Sequence, residues 1–348
     1  MEPEDRASSD ARVCDQRLGE PAGIVDACTT LIEAGTGTAL KRAVYHYQRA
    51  LAYDDLEEYE SALADYEAAA ALDPSDWRYS NGAGWILGMN GRLDEAKAAA
   101  ERALAIGRDE ENNYDLQGWV LRKQGHYEEA LQSFRLALAM DSGDDWTLRQ
   151  MGWSLRGLDR YEDALEIVRR AVTVDPDDDE NHRAVGYLLS DLSRYEEAQL
   201  AYARAVEIDP HDFWNLIERA YVLRQLDLHE AALQDVDRAA ILEPNHVDMW
   251  LQKGWTLHAM DRAPAALVAF EAALAVDADR SDAHYGVGLA LAELGEGKRA
   301  LVALERGLTL EYHAGNAAAV LKALLRSGEF FTAVTAADMI NDAAWKDD

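Results

Sequence analysis

The sequence predicts an all-α solenoid, about eight 34-residue helical hairpins stacked between two caps, and three observations carry that prediction. Pro74, Pro176, Pro210 and Pro244 stand at multiples of 34 from one another. With the register started at Ala43, the eighth place of each unit is small: Ala50, Gly84, Gly118, Gly152, Gly186, Ala220, Gly254 and Gly288. The twentieth place is alanine from Ala62 to Ala300, and the twenty-seventh runs from Ala69 to Ala273 and ends on Gly307. Finally, places 4, 7, 8 and 11 are small or mostly apolar at helical spacing, and places 17, 20, 24 and 27 repeat the pattern after a short polar break. One such hairpin cannot bury its own apolar stripe, so stability comes from stacking on neighbours.

Composition bounds the partners. Of 348 residues, 49% are hydrophobic, enough for a sizeable core, and 65 acidic against 34 basic residues give a formal net charge of −31. Such a surface repels phosphate backbones and anionic lipid, so neither nucleic acid nor membrane is an expected partner. No apolar run reaches the roughly 18 residues that span a bilayer, and the opening MEPEDRASSD has neither a basic nor an apolar leader region. The chain reads as soluble, which fits both a cytosolic protein and a periplasmic one whose leader has been removed.

The columns resemble those of the tetratricopeptide-repeat (TPR) family, as in GWVLRKQGHYEEALQSFRLALAMD (118–141) and GYLLSDLSRYEEAQLAYARAVEIDP (186–210). The resemblance runs from about Ala43 to the C-terminus. It implies a right-handed superhelix with the first helix of each unit lining the concave face. Three segments are expected: an N-terminal tail and capping hairpin over 1–42, eight repeats over 43–314, and a degenerate ninth repeat over 315–348 that caps the stack, with Gly328 and Ala333 in place. Solenoid ends depart from their repeat in this way.

Cys14 and Cys28 lie seven residues either side of Pro21 in the first segment. Residues equidistant from a hairpin turn tend to face one another, so a disulfide is geometrically reasonable; two buried thiols, acting as small hydrophobes, are the other reading. The segment Ala27–Gly35 also resembles the cap of periplasmic TPR proteins of alphaproteobacteria, which favours a bacterial periplasmic setting. No metal, cofactor or catalytic residue is expected. The histidines are scattered, HEAAL at His229 lacks the second histidine of a zinc-protease motif, and no nucleophile-elbow, Walker or dinucleotide signature occurs. Acid pairs such as Glu128/Glu129 and Glu196/Glu197 recur at the start of second helices, where the helix dipole favours them. The chain therefore reads as a non-enzyme.

The ninth place is the informative column: Leu51, Trp85, Trp119, Trp153, Tyr187, Tyr221, Trp255 and Leu289. At 100° per residue it lies roughly 150° around the first helix from the stripe that packs within the hairpin. The family resemblance assigns places 2, 5, 9, 12 and 13 to the concave groove. Here those places add Trp146 and Trp214 (place 2), Arg149 and Arg183 (place 5), and Arg122, Arg156 and Arg224 (place 12). Aromatic and arginine side chains are the usual interface anchors, so these residues form the candidate binding strip, expected to stay partly exposed; packing on the next repeat is the competing role for each. No repeat has asparagine at place 9, so the family's chaperone-tail clamp is not expected. The resulting expectation is a scaffold that binds a protein or peptide segment with acidic and apolar residues. The alternative is a polysaccharide-binding solenoid of an export machinery, since a ladder of rings suits sugar faces. Oligomeric state is left open.

Overall fold

The structure is a computed structural model and describes residues 3–311 and 313–347; Met1, Glu2 and Asp348, outermost in the two expected end segments, and Tyr312 lie outside the described residues. The described residues form twenty α-helices and no strand. They divide into two compact units, Met1–Val174 and Asp175–Asp348.

The N-terminal unit opens on a hairpin of α1 (Pro3–Gln16) and α2 (Pro21–Glu33). Four repeats follow: α3 (Ala39–Asp55) with α4 (Tyr59–Leu72), α5 (Trp77–Met89) with α6 (Leu93–Ile106), α7 (Glu111–Lys123) with α8 (Tyr127–Met140), and α9 (Asp145–Arg156) with α10 (Tyr161–Val174). The C-terminal unit pairs α11 (Asp179–Asp191) with α12 (Tyr195–Ile208), α13 (Phe213–Gln225) with α14 (His229–Leu242), α15 (Val247–Ala259) with α16 (Ala263–Val276), and α17 (Ser281–Glu293) with α18 (Gly297–Leu310). It ends on α19 (Ala314–Arg326) and α20 (Phe330–Asp347), whose first helix starts one residue short of the 34-residue step.

Local chemistry sets each turn. The fifteenth place of every full repeat has positive φ, from 56° at Ser193 and Asp261 to 80° at Gly125. The next amide donates back to the carbonyl five residues earlier, as in Glu58 to Tyr53 (2.8 Å) and Arg92 to Leu87 (2.9 Å). This is the Schellman closure of a helix C-terminus, which glycine adopts freely and Asp or Ser tolerates. Between repeats, Asp73, Asp141, Asp175, Asp209 and Asp277 each accept from the amide two residues on, forming an Asx turn. Asp76, Asp144, Asp178 and Asp212 then cap the following helix.

In several repeats the small eighth place faces a bulky twenty-fourth. A Cβ built on Gly118 would lie 2.6 Å from the Phe134 ring, and one on Gly152 would lie 2.2 Å from Val168. Glycine there lets the two helices of a hairpin approach until the ring fills the gap. At the N-terminus, Cys14 and Cys28 are disulfide-bonded with Cα atoms 5.1 Å apart. They sit in a small core with Ile24, Leu31, Tyr45 and Ala52, which joins α1 and α2 to α3.

Candidate functional site

Within the N-terminal unit, the first helices of the first three repeats converge on a groove of about 340 Å³. Place 5 contributes Tyr47 and Asn81, place 9 Leu51 and Trp85, place 2 Arg78 and Asn112, and place 12 Asp54. The Arg78 guanidinium lies 5.5 Å over the Tyr47 ring and pairs with Asp76. Asn81 donates to the Asn112 carbonyl (3.0 Å) and to Asn113 (2.9 Å), locking α5 against α7. Of these groove residues the sequence reading named Trp85 as a binding residue and passed over the rest. The signal was present: the same columns hold Tyr47, Leu51 and Asp54 in the first repeat and Arg78, Asn81 and Trp85 in the second.

Trp85 also starts an aromatic cluster. Its ring lies 4.8 Å from Trp119 and 5.6 Å from Trp146, centroid to centroid, and Trp146 meets Phe134 edge-on at 6.4 Å. The strip was expected to stay partly exposed. Trp85, Trp146 and Trp153 are half-buried and Arg156 is exposed, but Trp119 is buried. The cause is Gly88, where a Cβ would come within 2.3 Å of the Trp119 ring, so the six-membered part of the indole packs against bare backbone. Arg149 is also buried, with Asp145 at 3.2 Å. Arg122 differs. It is half-buried, burial lowers its pKa, its Nε has no hydrogen-bond partner, and no carboxylate pairs with it among the described residues.

In the C-terminal unit the remaining candidates form smaller groups. The Tyr187 hydroxyl donates to Glu218 (2.8 Å). Arg183 contacts Asp212 at 2.9 Å and Glu180 at 3.4 Å, so internal carboxylates answer its charge. Trp214, 41% exposed, packs edge-on against Phe213 and His246. Arg224 lies 5.3 Å over the Tyr221 ring; burial lowers its pKa and its Nε is unpartnered. Trp255 departs from the expectation that place 9 turns away from its own hairpin. It packs on Phe270 of its own second helix at 4.9 Å, because Gly254 beside it carries no side chain and leaves the phenyl ring within reach.

Among the described residues no group of three or more His, Cys, Asp or Glu could hold a metal ion, and no helix is long and apolar enough to cross a membrane.

Comparison with known proteins agrees with this architecture. Models of the tetratricopeptide repeat match residues 47–111, 121–186, 184–212 and 251–317, and the chain belongs to the tetratricopeptide-repeat family. A stretch of 111 residues is 30% identical to Small glutamine-rich tetratricopeptide repeat-containing protein 2 of Saccharomyces cerevisiae, covering 31% of this chain and 32% of that protein. The chain thus spans about a third of the length of this curated relative. Among solved structures, a tetratricopeptide repeat protein from Parabacteroides merdae is similar at a TM-score of 0.56 and 16% identity, over 72% of this chain and 98% of that one. The Cut9–Hcn1 hetero-tetramer of the APC/C contains a chain similar at 0.56 and 14% identity, over 98% and 87%. Pseudomonas aeruginosa pilF follows at 0.51 and 16%, over 60% and 94%. These likenesses establish an all-α repeat fold. Proteins of the family generally act as non-enzymatic protein-interaction modules.

Proposed function

We propose that this chain is a non-enzymatic adaptor whose N-terminal unit holds a protein or peptide segment in the groove through Trp85. The observation that carries the reading is the convergence of places 2, 5, 9 and 12 from three successive repeats on one groove of about 340 Å³. Its walls combine rings, an aliphatic side chain and amide groups, the mixture that buries a side chain while pairing backbone polar groups. The segment carries acidic as well as apolar residues. Arg122 in the same unit is a desolvated guanidinium group without an internal carboxylate among the described residues, and a partner carboxylate would restore the lost charge pairing. The ring arrangement speaks less for a polysaccharide. Trp85, Trp119 and Trp146 spend their faces and edges on one another at 4.8–5.6 Å, whereas sugar stacking needs open faces.

The test is selection of peptides from a displayed library against the intact chain, followed by affinity and melting measurements on Trp85→Ala and Arg122→Ala. Hot-spot truncation is expected to cost about 2 kcal/mol or more, roughly thirtyfold in affinity. Selected peptides that bind the Trp85→Ala chain as tightly as the parent, while its melting temperature drops sharply, would show that the ring is packing and that the site lies elsewhere.

A further inference from the structure

We propose that the C-terminal unit carries a second, separate docking surface: the apolar groove between α17 and α18, fitted to an acidic polypeptide segment with apolar side chains. The groove encloses about 670 Å³. Val287, Leu291 and Ala303 form its floor, and Val302 stands at its edge with 68% of its surface exposed. The charged and polar groups that line it are all basic or imidazole: His284, Lys298, Arg299 and Arg306. Among the described residues no carboxylate lines it, in a chain whose net charge is −31.

Two comparisons within the chain show that the fold does not require this arrangement. The first turns of α6, α8, α10 and α12 carry two acids each, and those of α4 and α14 carry one, as the positive end of a helix dipole favours. Helix α18 instead opens Gly297-Lys298-Arg299 with no acid in its first turn. Two cations are thus held where the backbone opposes them. Lys298 makes no hydrogen bond or ion pair among the described residues, whereas Arg299 reaches Glu296 (2.6 Å) and Glu271 (3.8 Å) and Arg306 reaches Asp279 (2.6 Å), all on open surface. The second comparison concerns Val302. Its column carries Gln132, Glu166 and Gln234 in other repeats, so an exposed valine is not a demand of helix packing. Leu200 and Val268 share the column and its exposure, but neither α12 nor α16 has a basic residue in its first turn. Among the described residues, an exposed apolar residue of this column coincides with a basic first turn and an apolar floor in the eighth repeat.

Charge complementarity selects the occupant. The acidic field of the whole protein repels anionic polymers at a distance, so a carboxylate-bearing segment is held only where the local cations and apolar contact act together. Each carboxylate placed over Lys298 would also relieve its conflict with the helix terminus, while an apolar side chain beside it would cover Val302 and enter the groove.

The experiment is fluorescence anisotropy of the full-length chain with two labelled synthetic peptides of about 14 residues, four helical turns: one of Glu and Leu, the other identical but with Lys in place of Glu. The Glu/Leu peptide is expected to bind with an affinity that changes in the groove weaken, whereas the Lys/Leu peptide, drawn to the acidic surface at large, is expected to bind with an affinity that the same changes do not weaken. The Lys298→Glu/Arg299→Glu double variant restores the acidic first turn, so it is expected to fold at least as well as the parent, yet to lose about tenfold or more in affinity. Val302→Asp is expected to lose a similar amount, and Trp85→Ala to bind unchanged. Affinity that survives both groove changes, or that disappears on Trp85→Ala, overturns the proposal and leaves the separate reading of the Trp85 groove standing. Sedimentation that shows the parent as a dimer dissolved by Val302→Asp also overturns it, by naming a second copy as the occupant.

Discussion

Replacing Asp65 with alanine is expected to destabilise the N-terminal hairpins by about 3–5 kcal/mol, the cost of stranding a buried charge. Asp65 on α4 is 4% exposed. Arg49 on α3 donates to both its oxygens (2.7 and 2.8 Å), and His46 Nδ1 lies 2.6 Å from one of them. The same guanidinium donates to Thr29 of α2 (2.8 Å), so one carboxylate orders the first repeat and its junction with the cap. Burial alone would raise the Asp65 pKa; the hydrogen bonds and charges of Arg49 and His46 outweigh it and hold the carboxyl below its usual value. The stabilisation is therefore present above the unfolded carboxylate pKa and is lost as pH falls through the lower folded one. Urea titration of Asp65→Ala at pH 7 checks the magnitude. A loss under about 1 kcal/mol, the range of exposed pairs, would show that the cluster contributes little. Replacing Arg49 and Asp65 together by apolar residues is expected to recover much of the loss, since no charge is then left stranded inside the hairpin.

Asp115 is expected to behave in the opposite sense. This residue on α7 is 6% exposed, and burial raises its pKa from 3.8 to about 7, with Asp144 and Glu111 adding to the rise and the Thr147 hydroxyl opposing it. The Thr147 hydroxyl lies 2.5 Å from Asp115 Oδ1 and also contacts Asp144. One hydroxyl has one proton to give, so with both carboxylates ionised one of the two contacts is unsatisfied. A proton on Asp115 completes the chain from Asp115 through Thr147 to Asp144. Because the folded pKa lies above the unfolded one, the stability this group contributes is fully present below about pH 4 and is lost as pH rises toward 7. Asp115→Asn should melt above the parent at pH 8 and alongside it near pH 4. Equal differences at the two pH values would show that Asp115 is not the titrating group.

The period and the hairpins were legible because they rest on backbone needs that only a few residue types meet. Glycine at place 8 answers Phe134 or Tyr202 at place 24, and a turn residue of positive φ recurs at place 15. Pairing inside a hairpin was legible too, in a signal the sequence reading did not use. Places 7 and 23 hold Arg49 with Asp65, Gln117 with Ser133, and Arg219 with Asp235, each bonded across 16 residues. The groove was harder to read. Trp and Arg mark the columns by residue type, whereas the cavity is lined by position, so Tyr47, Asn81 and Asn112 stand in it beside Arg78 and Trp85. The exposure of Trp119 was harder to read because it depends on a neighbour outside its own repeat, Gly88 of the preceding one, whereas the acid beside the buried Arg149, Asp145, stands four residues earlier on the same helix.

The central claim, that polypeptide is held in the groove through Trp85, is tested most directly by placing a photo-crosslinking amino acid at Arg78 in the groove, and for comparison at the exposed Glu101 on α6. Illumination in cells of the source organism should give a covalent polypeptide adduct from position 78 that a display-selected peptide suppresses, and no such adduct from position 101. Adducts from position 101 alone, or adducts from position 78 that the selected peptide leaves unchanged, would contradict it.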